Sequence, residues 1–439
     1  MIDINLNYHF IGAGGAGMAP MAIIVKEMGA NVSGSDISDS ENLNILRKKG
    51  IKIFCGKHSP ENLPENNDTI VIISSAITSD NPELKKANEK RLRIFRRGEF
   101  LAKIAESYQF PIAVAGSHGK TSITGIISYA LKKLGFNPGY MIGGKLIGWP
   151  QSGSAGDRNI FVTESDESDG TNVFIKPKIG VVSNVDDDHE WNFAGGREEL
   201  FANFAKFAQN SEFLIYGGGY EADKLFSHHK QKKVVSTRDF QLLPSQFHDF
   251  PDFQKLNSLL AAHAINIASK IDLRDILNSI CDFPGISRRI NRIYHNEKVL
   301  LIEDYAHHPA ELSALMQYLS KIKSNRKTHI VFQPHRYARL KKYFNEFVEI
   351  LSGADKITVL PVFSAWCPSD QIDSEKLCQE LNRKKNRNFA IFANEDFKSL
   401  AIKIISQTRE NTIIAEVGAG DCDKLTSCLA EILKKEEVL

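Results

Sequence analysis

Runs of apolar, often β-branched residues alternate with stretches of helical spacing along the whole chain, and several of the runs end in a glycine-rich or charged loop. Strands are expected at 8–11, 31–36, 70–74, 112–115, 159–163, 179–183 and 213–216, then at 299–302, 329–332, 357–360, 389–392 and 412–416. Leu200, Phe201, Phe204 and Phe207 recur at helical spacing, as do Leu312, Leu315, Met316, Leu319 and Ile322; both stripes read as core packing. Such alternation closes as parallel sheets with right-handed crossovers. A chain of 439 residues has room for about three domains. The expected class is α/β, with three domains in a row and sites at the carboxyl ends of strands. Residues 108–110 read as a linker before a fresh strand, and Pro284 with Gly285 breaks helical runs at a second boundary.

Composition narrows the function. Hydrophobic residues make up 42% and charged residues 25%, which excludes a mostly disordered chain. The formal net charge of +2 gives no reason to expect a nucleic-acid or anionic-membrane partner. Six cysteines, at 55, 281, 367, 378, 422 and 428, form no CxxC pair and no zinc-ligand spacing, so reduced thiols are expected. No basic region followed by an apolar stretch opens the chain, and no apolar run reaches membrane-spanning length. The cytoplasm is the expected compartment.

Four loops carry chemistry. Gly12-Ala13-Gly14-Gly15-Ala16-Gly17-Met18 directly follows a strand, where glycines let backbone N–H groups approach a diphosphate at a helix start. Asp36 ends the next strand, placed to meet a ribose hydroxyl or a base. Alone, this pattern fits a nicotinamide-dinucleotide site or a structural turn equally well. Gly116-Ser117-His118-Gly119-Lys120-Thr121-Ser122 follows the strand IAVA. Its amides would cradle phosphates, Lys120 would neutralise β/γ oxygens, and the Thr121 hydroxyl would ligate Mg²⁺. Position 114 is Val where the strict phosphate-loop pattern has Gly.

The third loop is acidic: Glu164 sits at a strand end with Asp166, Glu167 and Asp169 close by, and Asp188 and His189 follow the next strand. A Glu and a His at neighbouring strand ends, facing a phosphate loop, suit a second cation. The fourth lies in the last third. Asp304-Tyr305-Ala306-His307-His308-Pro309 and Phe332-Gln333-Pro334-His335-Arg336-Tyr337-Ala338-Arg339 each follow a strand, and two arginines three apart can fork onto a carboxylate or phosphate. Gly418-Ala419-Gly420-Asp421 is a further strand-to-loop turn.

The ordered set GAGGAGM, GSHGKTS, ESDESDG, SNVDDDH, DYAHHP, FQPHRYAR and GAGD, from about residue 8 to about 425, resembles the Mur ligases of bacterial peptidoglycan synthesis. DYAHHP with FQPHRYAR points to the branch that joins L-alanine to UDP-N-acetylmuramate. The resemblance implies a Rossmann-like UDP-sugar domain at 1–109, a central P-loop ATP domain at 110–284 and a Rossmann-like amino-acid domain at 285–439. It implies ATP and two Mg²⁺ sites, small-molecule substrates, a monomer or weak dimer, and an acyl-phosphate route. By position, Gly12, Gly14, Gly15, Gly17, Asp36, Ser74 and Ser75 would hold the UDP part of the substrate. Residues Gly116, Ser117, His118, Gly119, Lys120, Thr121 and Ser122, with Asn257, Arg289 and Asp304, would bind ATP. Thr121, Glu164 and His189 would serve the metals, and Tyr305, His307, Arg336 and Arg339 the amino acid. Lys120, Glu164, His189 and Asp304 would carry catalysis.

The chain departs from the family at Leu256-Asn257 and Leu260, where His-Asn and a later Asn are usual. It is shorter between His189 and Asn257, and SAWCPSD stands at 364–370. Two other readings stay open on the residues. One is a ligase attaching a whole tripeptide to UDP-N-acetylmuramate. The other is an NAD-dependent oxidoreductase using the 12–17 loop, which leaves the other three loops unexplained.

Overall fold

The computed structural model describes every residue except 168–169, 189, 366–368, 409–410 and 437–439. The chain divides into two compact units, Met1–Ile286 and Ser287–Leu439. Among the described residues there are three sheets, two in the first unit and one in the second.

The first sheet joins β1 (Asn7–Ile11), β2 (Asn31–Asp36), β3 (Lys52–Cys55), β4 (Thr69–Ile73) and β5 (Arg93–Arg96) in the order β3-β2-β1-β4-β5, all parallel. The order reverses between β1 and β4, and a crevice opens outside the carboxyl ends of strands at such a point. The loop at 12–17 leaves β1 there and Ser74-Ser75 leaves β4.

The second sheet comprises β6 (Phe110–Ala115), β7 (Gly139–Met141), β8 (Gly153–Ser154), β9 (Ile160–Glu164), β10 (Ile179–Val182), β11 (Phe213–Gly217) and β12 (Lys232–Val235). The order is β12-β11-β10-β6-β9-β7-β8, parallel except for the β7–β8 hairpin pairing. Strand β6 is central, so the loop that follows it lies between the ends of β9 and β10. Its apolar run Ile112–Ala115 is fully buried, as a parallel strand covered on both faces requires.

These two sheets lie in one compact unit and share a core. One buried apolar cluster runs from Tyr8, Phe10 and Ile24 through Tyr108 and Phe161 to Phe204, Phe207 and Tyr216. At the junction, Glu27 of the helix Met18–Glu27 accepts from Lys49 Nζ at 2.8 Å, Gln151 Nε2 at 3.0 Å, Ser154 Oγ at 3.0 Å and Ala155 N at 2.9 Å. Burial raises the Glu27 carboxyl, but those four donors outweigh it and hold it below its ordinary value. Residues 108–110 are likewise no free linker. Tyr108 stacks on Phe161 with centroids 4.6 Å apart and donates to Ala155 O at 2.8 Å.

The second unit carries β13 (Asn291–His295), β14 (Val299–Asp304), β15 (Lys327–Phe332), β16 (Lys356–Val359), β17 (Ala390–Phe392) and β18 (Thr412–Val417). Their order is β13-β14-β18-β15-β16-β17, with only β13 antiparallel. The three loops singled out in this part of the sequence leave the neighbouring strands β14, β18 and β15 at their carboxyl ends.

Six strands, β3, β5, β7, β8, β12 and β13, fall outside the sequence expectations. Five lie at sheet edges, where short, charged runs such as KKVV lack the apolar signature of a covered strand. The remaining one, β7, has three residues. Among the described residues no helix is long and apolar enough to cross a membrane.

Candidate active site

The phosphate loop is built by close approach. Gly116 has φ +128°, and a Cβ there would stand 2.1 Å from Ser183 Oγ, so only glycine lets the end of β6 lie against the end of β10. Asn184 then clamps the loop from both sides: its Oδ1 accepts from His118 N at 2.9 Å and its Nδ2 donates to His118 O at 3.1 Å. Ser183 Oγ also donates to His118 O. The Ser117 hydroxyl accepts from Asp186 N at 2.9 Å, and His118 Nε2 lies 2.7 Å from Asp186 Oδ2. His118 is thus fixed as part of the loop wall. The helix Lys120–Lys133 starts directly after Gly119, so its positive end faces whatever the loop holds.

Lys120 Nζ donates to Gly116 O at 2.7 Å and to Glu167 Oε1 at 2.7 Å. Burial alone would lower the lysine, but Glu167, Asp166 and Glu164 together hold it protonated and push it above its ordinary value. Glu167 is fully buried, and burial pushes its carboxyl up to about 7 against the pull of the ammonium. Thr121 Oγ1 lies 3.2 Å from Glu164 Oε2, and Gly143 N donates to the other oxygen of Glu164. Burial is the main cause that raises the Glu164 carboxyl. A hydroxyl and a half-buried carboxylate converging beside a phosphate loop fit a hard divalent cation, which takes oxygen ligands. Asn257, on the helix Asp252–Ser269, is buried, and its amide lies 3.0 Å from where a Cβ of Gly119 would be. His189 and Asp169 lie outside the described residues.

On the first sheet, the 12–17 loop is braced from β2. Gly12 N and Ala13 N both donate to Ser35 O, at 2.8 and 2.9 Å, and Gly14 N donates to Asp36 Oδ2 at 2.8 Å. Asn42 Nδ2 holds Gly14 O at 2.8 Å, and Ser74 packs against Gly12. Gly15 N turns back to Gly12 O at 3.3 Å. A cleft of about 360 Å³ opens beside the loop, lined by Ser74, Ser75, Arg96, Arg97 and Thr171 among others. Arg97 lies against Gly17 and pairs with Asp166 Oδ2 at 3.3 Å, linking the first loop to the acidic one. The sequence reading passed over Arg97 because it follows β5, an edge strand without an apolar signature. Glu167 was read only as one of several acids, and nothing in spacing alone aims it at Lys120.

In the second unit, Asp304 is buried at the end of β14. Its carboxylate accepts from Ile290 N at 2.6 Å and Ala306 N at 2.8 Å. Burial nonetheless pushes it up to about 6, against the pull of Arg289 and the two amides. Arg289 pairs with Glu311 Oε1 at 3.1 Å, and the guanidinium groups of Arg288 and Arg289 lie 5.0 and 5.1 Å from the Tyr305 ring centroid. His307 meets Tyr305 edge-on at 5.4 Å and lies 5.5 Å from His335, which stacks on Phe363 at 5.7 Å. Burial first, with Arg339 and His335 adding to it, keeps the His307 imidazole neutral, its ring nitrogen Nδ1 donating to Tyr305 O at 2.9 Å.

The two arginines of FQPHRYAR are placed differently from a surface fork. Arg339 is 1% exposed and its NH1 donates to His335 O at 3.3 Å, whereas Arg336 is half-buried at φ +70°, its N–H on Phe363 O at 2.9 Å. The structure therefore gathers Tyr305, His307, Arg336 and Arg339 around two residues the sequence reading did not single out, His335 and Phe363. His335 stood inside a quoted motif; Phe363 gave no signal. Gln333 ties this group to the next strand end by donating to Asp421 Oδ1 at 3.0 Å and accepting from Cys422 N at 3.2 Å.

A phosphate loop between acidic strand ends, beside a glycine-loop crevice and followed in sequence by a third, mostly parallel sheet, defines an ATP-using α/β ligase. The comparisons agree: models described as Mur ligase family, catalytic domain, Mur ligase middle domain, and Mur ligase, glutamate ligase domain match residues 7–109, 114–258 and 288–420. The chain belongs to the Mur ligase family. It is 32% identical to the UDP-N-acetylmuramate–L-alanine ligase of Wigglesworthia glossinidia brevipalpis, over 96% of this chain and 97% of that one. It is 33% identical to the enzyme of the same name from Sulfurihydrogenibium sp., over 98% of each. Among solved structures, UDP-N-acetylmuramate-alanine ligase from Thermotoga maritima superposes with a TM-score of 0.79 at 26% identity, covering 98% of this chain and 100% of that one. A murein peptide ligase from Psychrobacter arcticus, at 16% identity and a TM-score of 0.67, shares the fold. The family resemblance read from the sequence is borne out, and the dinucleotide oxidoreductase reading of the 12–17 loop is not favoured.

Proposed function

We propose that the chain is an ATP-dependent ligase that joins L-alanine to the lactyl carboxylate of UDP-N-acetylmuramate, a step of peptidoglycan precursor synthesis in the cytoplasm. The observation that carries this reading is full-length similarity, above 30% identity, to ligases of that name, on a chain whose phosphate loop is intact. We draw the domains at 1–109, 110–284 and 285–439.

In the first sheet, we place the diphosphate at Ala16 and Gly17, the residues that lead into the helix Met18–Glu27, with Arg97 beside them; the engagement of the N–H groups of Gly12, Ala13, Gly14 and Gly15 within the protein supports this reading. Ser74 and Ser75 line the same cleft. The amides of 116–122 hold the ATP phosphates, with Asn257 as a further contact. Mg²⁺ would be held by Thr121 and Glu164, where it supplies positive charge to phosphate oxygens. A second ion is assigned to Glu164 with His189.

A free carboxylate is a poor electrophile, so the lactyl carboxylate first takes the γ-phosphoryl group and ADP leaves. Lys120 offsets the charge that develops on that group. The L-alanine amine then attacks the acyl carbon, and phosphate departs. Tyr305, His307, Arg336 and Arg339 hold the amino acid, with His335 fixed by Arg339. Phosphate release from ATP that requires both UDP-N-acetylmuramate and L-alanine tests the reading. Release with a tripeptide but not with L-alanine would overturn it in favour of the recycling ligase.

A further inference from the structure

Beneath the glycine loop of the first sheet lies a buried carboxylate that the proposed reaction does not use. Glu83 stands in the first turn of the helix Pro82–Glu89 and is 0% exposed. Each of its oxygens meets two side-chain donors. Oε2 accepts from His9 Nε2 at 2.9 Å and Ser35 Oγ at 2.7 Å; Oε1 accepts from His58 Nδ1 at 2.7 Å and Asn62 Nδ2 at 2.9 Å. A carboxylate so surrounded is ionised and acceptor-only. Burial raises its pKa, yet the four donors win and push it down to about 2. The other ring nitrogen of His9, Nδ1, lies 2.8 Å from Ser33 Oγ.

The donors come from different parts of the sheet. His9 is on β1, Ser35 on β2, His58 and Asn62 follow β3, and Glu83 itself follows β4. Two neighbouring strands and the connections after the next two thus meet at one charge. One of the donors is also the brace of the loop. Ser35 gives its hydroxyl to Glu83 and its main-chain carbonyl to both Gly12 N and Ala13 N, and its neighbour Asp36 takes Gly14 N. Whatever fixes Ser35 fixes the first three amides of the loop. A fully satisfied buried polar network of this kind selects one arrangement, because any shift strands a donor or the charge.

We propose that Glu83 is a positioning residue for the nucleotide-sugar cradle: it holds Ser35, and through Ser35 the 12–17 loop, in the form that receives the diphosphate of a nucleoside-diphosphate sugar. This rests on the assignment of that loop to UDP-N-acetylmuramate. Glu83→Gln places an amide NH₂ where two donors converge. Ser35→Ala removes one donor and keeps the backbone carbonyl.

The test is steady-state kinetics with the three substrates varied separately, together with calorimetric binding of UDP-N-acetylmuramate. Glu83→Gln should raise KM for the nucleotide sugar roughly tenfold or more, as expected when a hydrogen bond to a charge is lost, while KM for ATP and for L-alanine stays within about twofold. Ser35→Ala should move the same constant in the same direction by less, and should add little in the Glu83→Gln background. An equal rise in all three KM values, or only a smaller active fraction, would reduce Glu83 to a structural residue and overturn the proposal. If Glu83→Gln does not fold, Ser35→Ala alone decides by the same readout. Wild-type protein that binds UDP-N-acetylmuramate while both variants bind it equally well overturns the positioning role alone; wild-type protein that does not bind it overturns the loop assignment and the proposal with it.

Discussion

Removing the ammonium of Lys120 acts on two quantities that the structure separates. In Lys120→Met, the γ-phosphoryl group loses the charge that stabilises its transfer, a loss of about 10²–10³ in turnover for a preorganised donor of this type. The same change strands Glu167, which is fully buried and paired to Lys120 at 2.7 Å. Breaking a buried pair from one side costs about 3–5 kcal/mol when the remaining charge persists. Glu167 escapes part of that cost by taking up a proton, since burial already pushes its carboxyl up to about 7 with the lysine present. The sign follows from linkage. A carboxyl with a folded pKa above its unfolded value binds more protons folded than unfolded, so stability falls as pH rises through the interval between them. The melting temperature of Lys120→Met should therefore sit close to that of the wild type at pH 6 and fall further below it towards pH 8.5, by roughly 5–10 °C. Adding Glu167→Gln removes the stranded group, so the double variant should recover most of the melting temperature at pH 8.5 and none of the turnover. Differential scanning fluorimetry across pH, paired with phosphate release at saturating substrates, reads both. A Lys120→Met protein that melts with the wild type at pH 8.5, or a double variant that melts no higher than the single one, refutes the coupling. Turnover within tenfold of wild type refutes the phosphoryl role.

Glu164→Gln should raise the Mg²⁺ concentration needed for half-maximal turnover by about tenfold or more, since it replaces a carboxylate oxygen 3.2 Å from Thr121 Oγ1 with a neutral amide; a metal titration of the rate reads it. Gly420→Ala would set a methyl group 2.2 Å from Gln333 Oε1 and 2.7 Å from Phe363, so it should displace Phe363 from His335 and raise KM for L-alanine severalfold, with KM for ATP unchanged. Burial pushes the Glu416 carboxyl up from 4.5 to about 7, so it lowers stability progressively as pH rises through that interval; Glu416→Gln should flatten the decline, gaining up to about 3 kcal/mol at pH 8 in denaturant titrations.

The parts of the fold that were legible in the sequence are those whose residues face a core on both sides. Ile112–Ala115 and Thr412–Val417 are fully buried runs and announced their strands. Arg93–Arg96 and Lys232–Val235 pair on one side only and carry charge, so no apolar pattern marked them. The phosphate loop was legible for a related reason: close approach of Gly116 to Ser183 admits one residue type, and that restriction is written in the chain. What stayed hidden depends on partners far apart in sequence. Glu167 reaches Lys120 across 47 residues, Glu83 reaches His9 across 74, and the order of strands that brings them together is not encoded in any local spacing. The shared core of the first two sheets was hidden likewise, because Tyr108 looks like a connector residue until Phe161 lies beneath it.

Glu27 and the continuous core around it have a consequence for which molecules can react. They tie the 12–17 loop and the 116–122 loop, to which the sugar nucleotide and the triphosphate are assigned in the proposed function, into one body. On the proposed assignment the pair would act as a caliper: a donor shortened by one phosphate would dock by its uridine end, yet its carboxylate would stop short of the group it must capture.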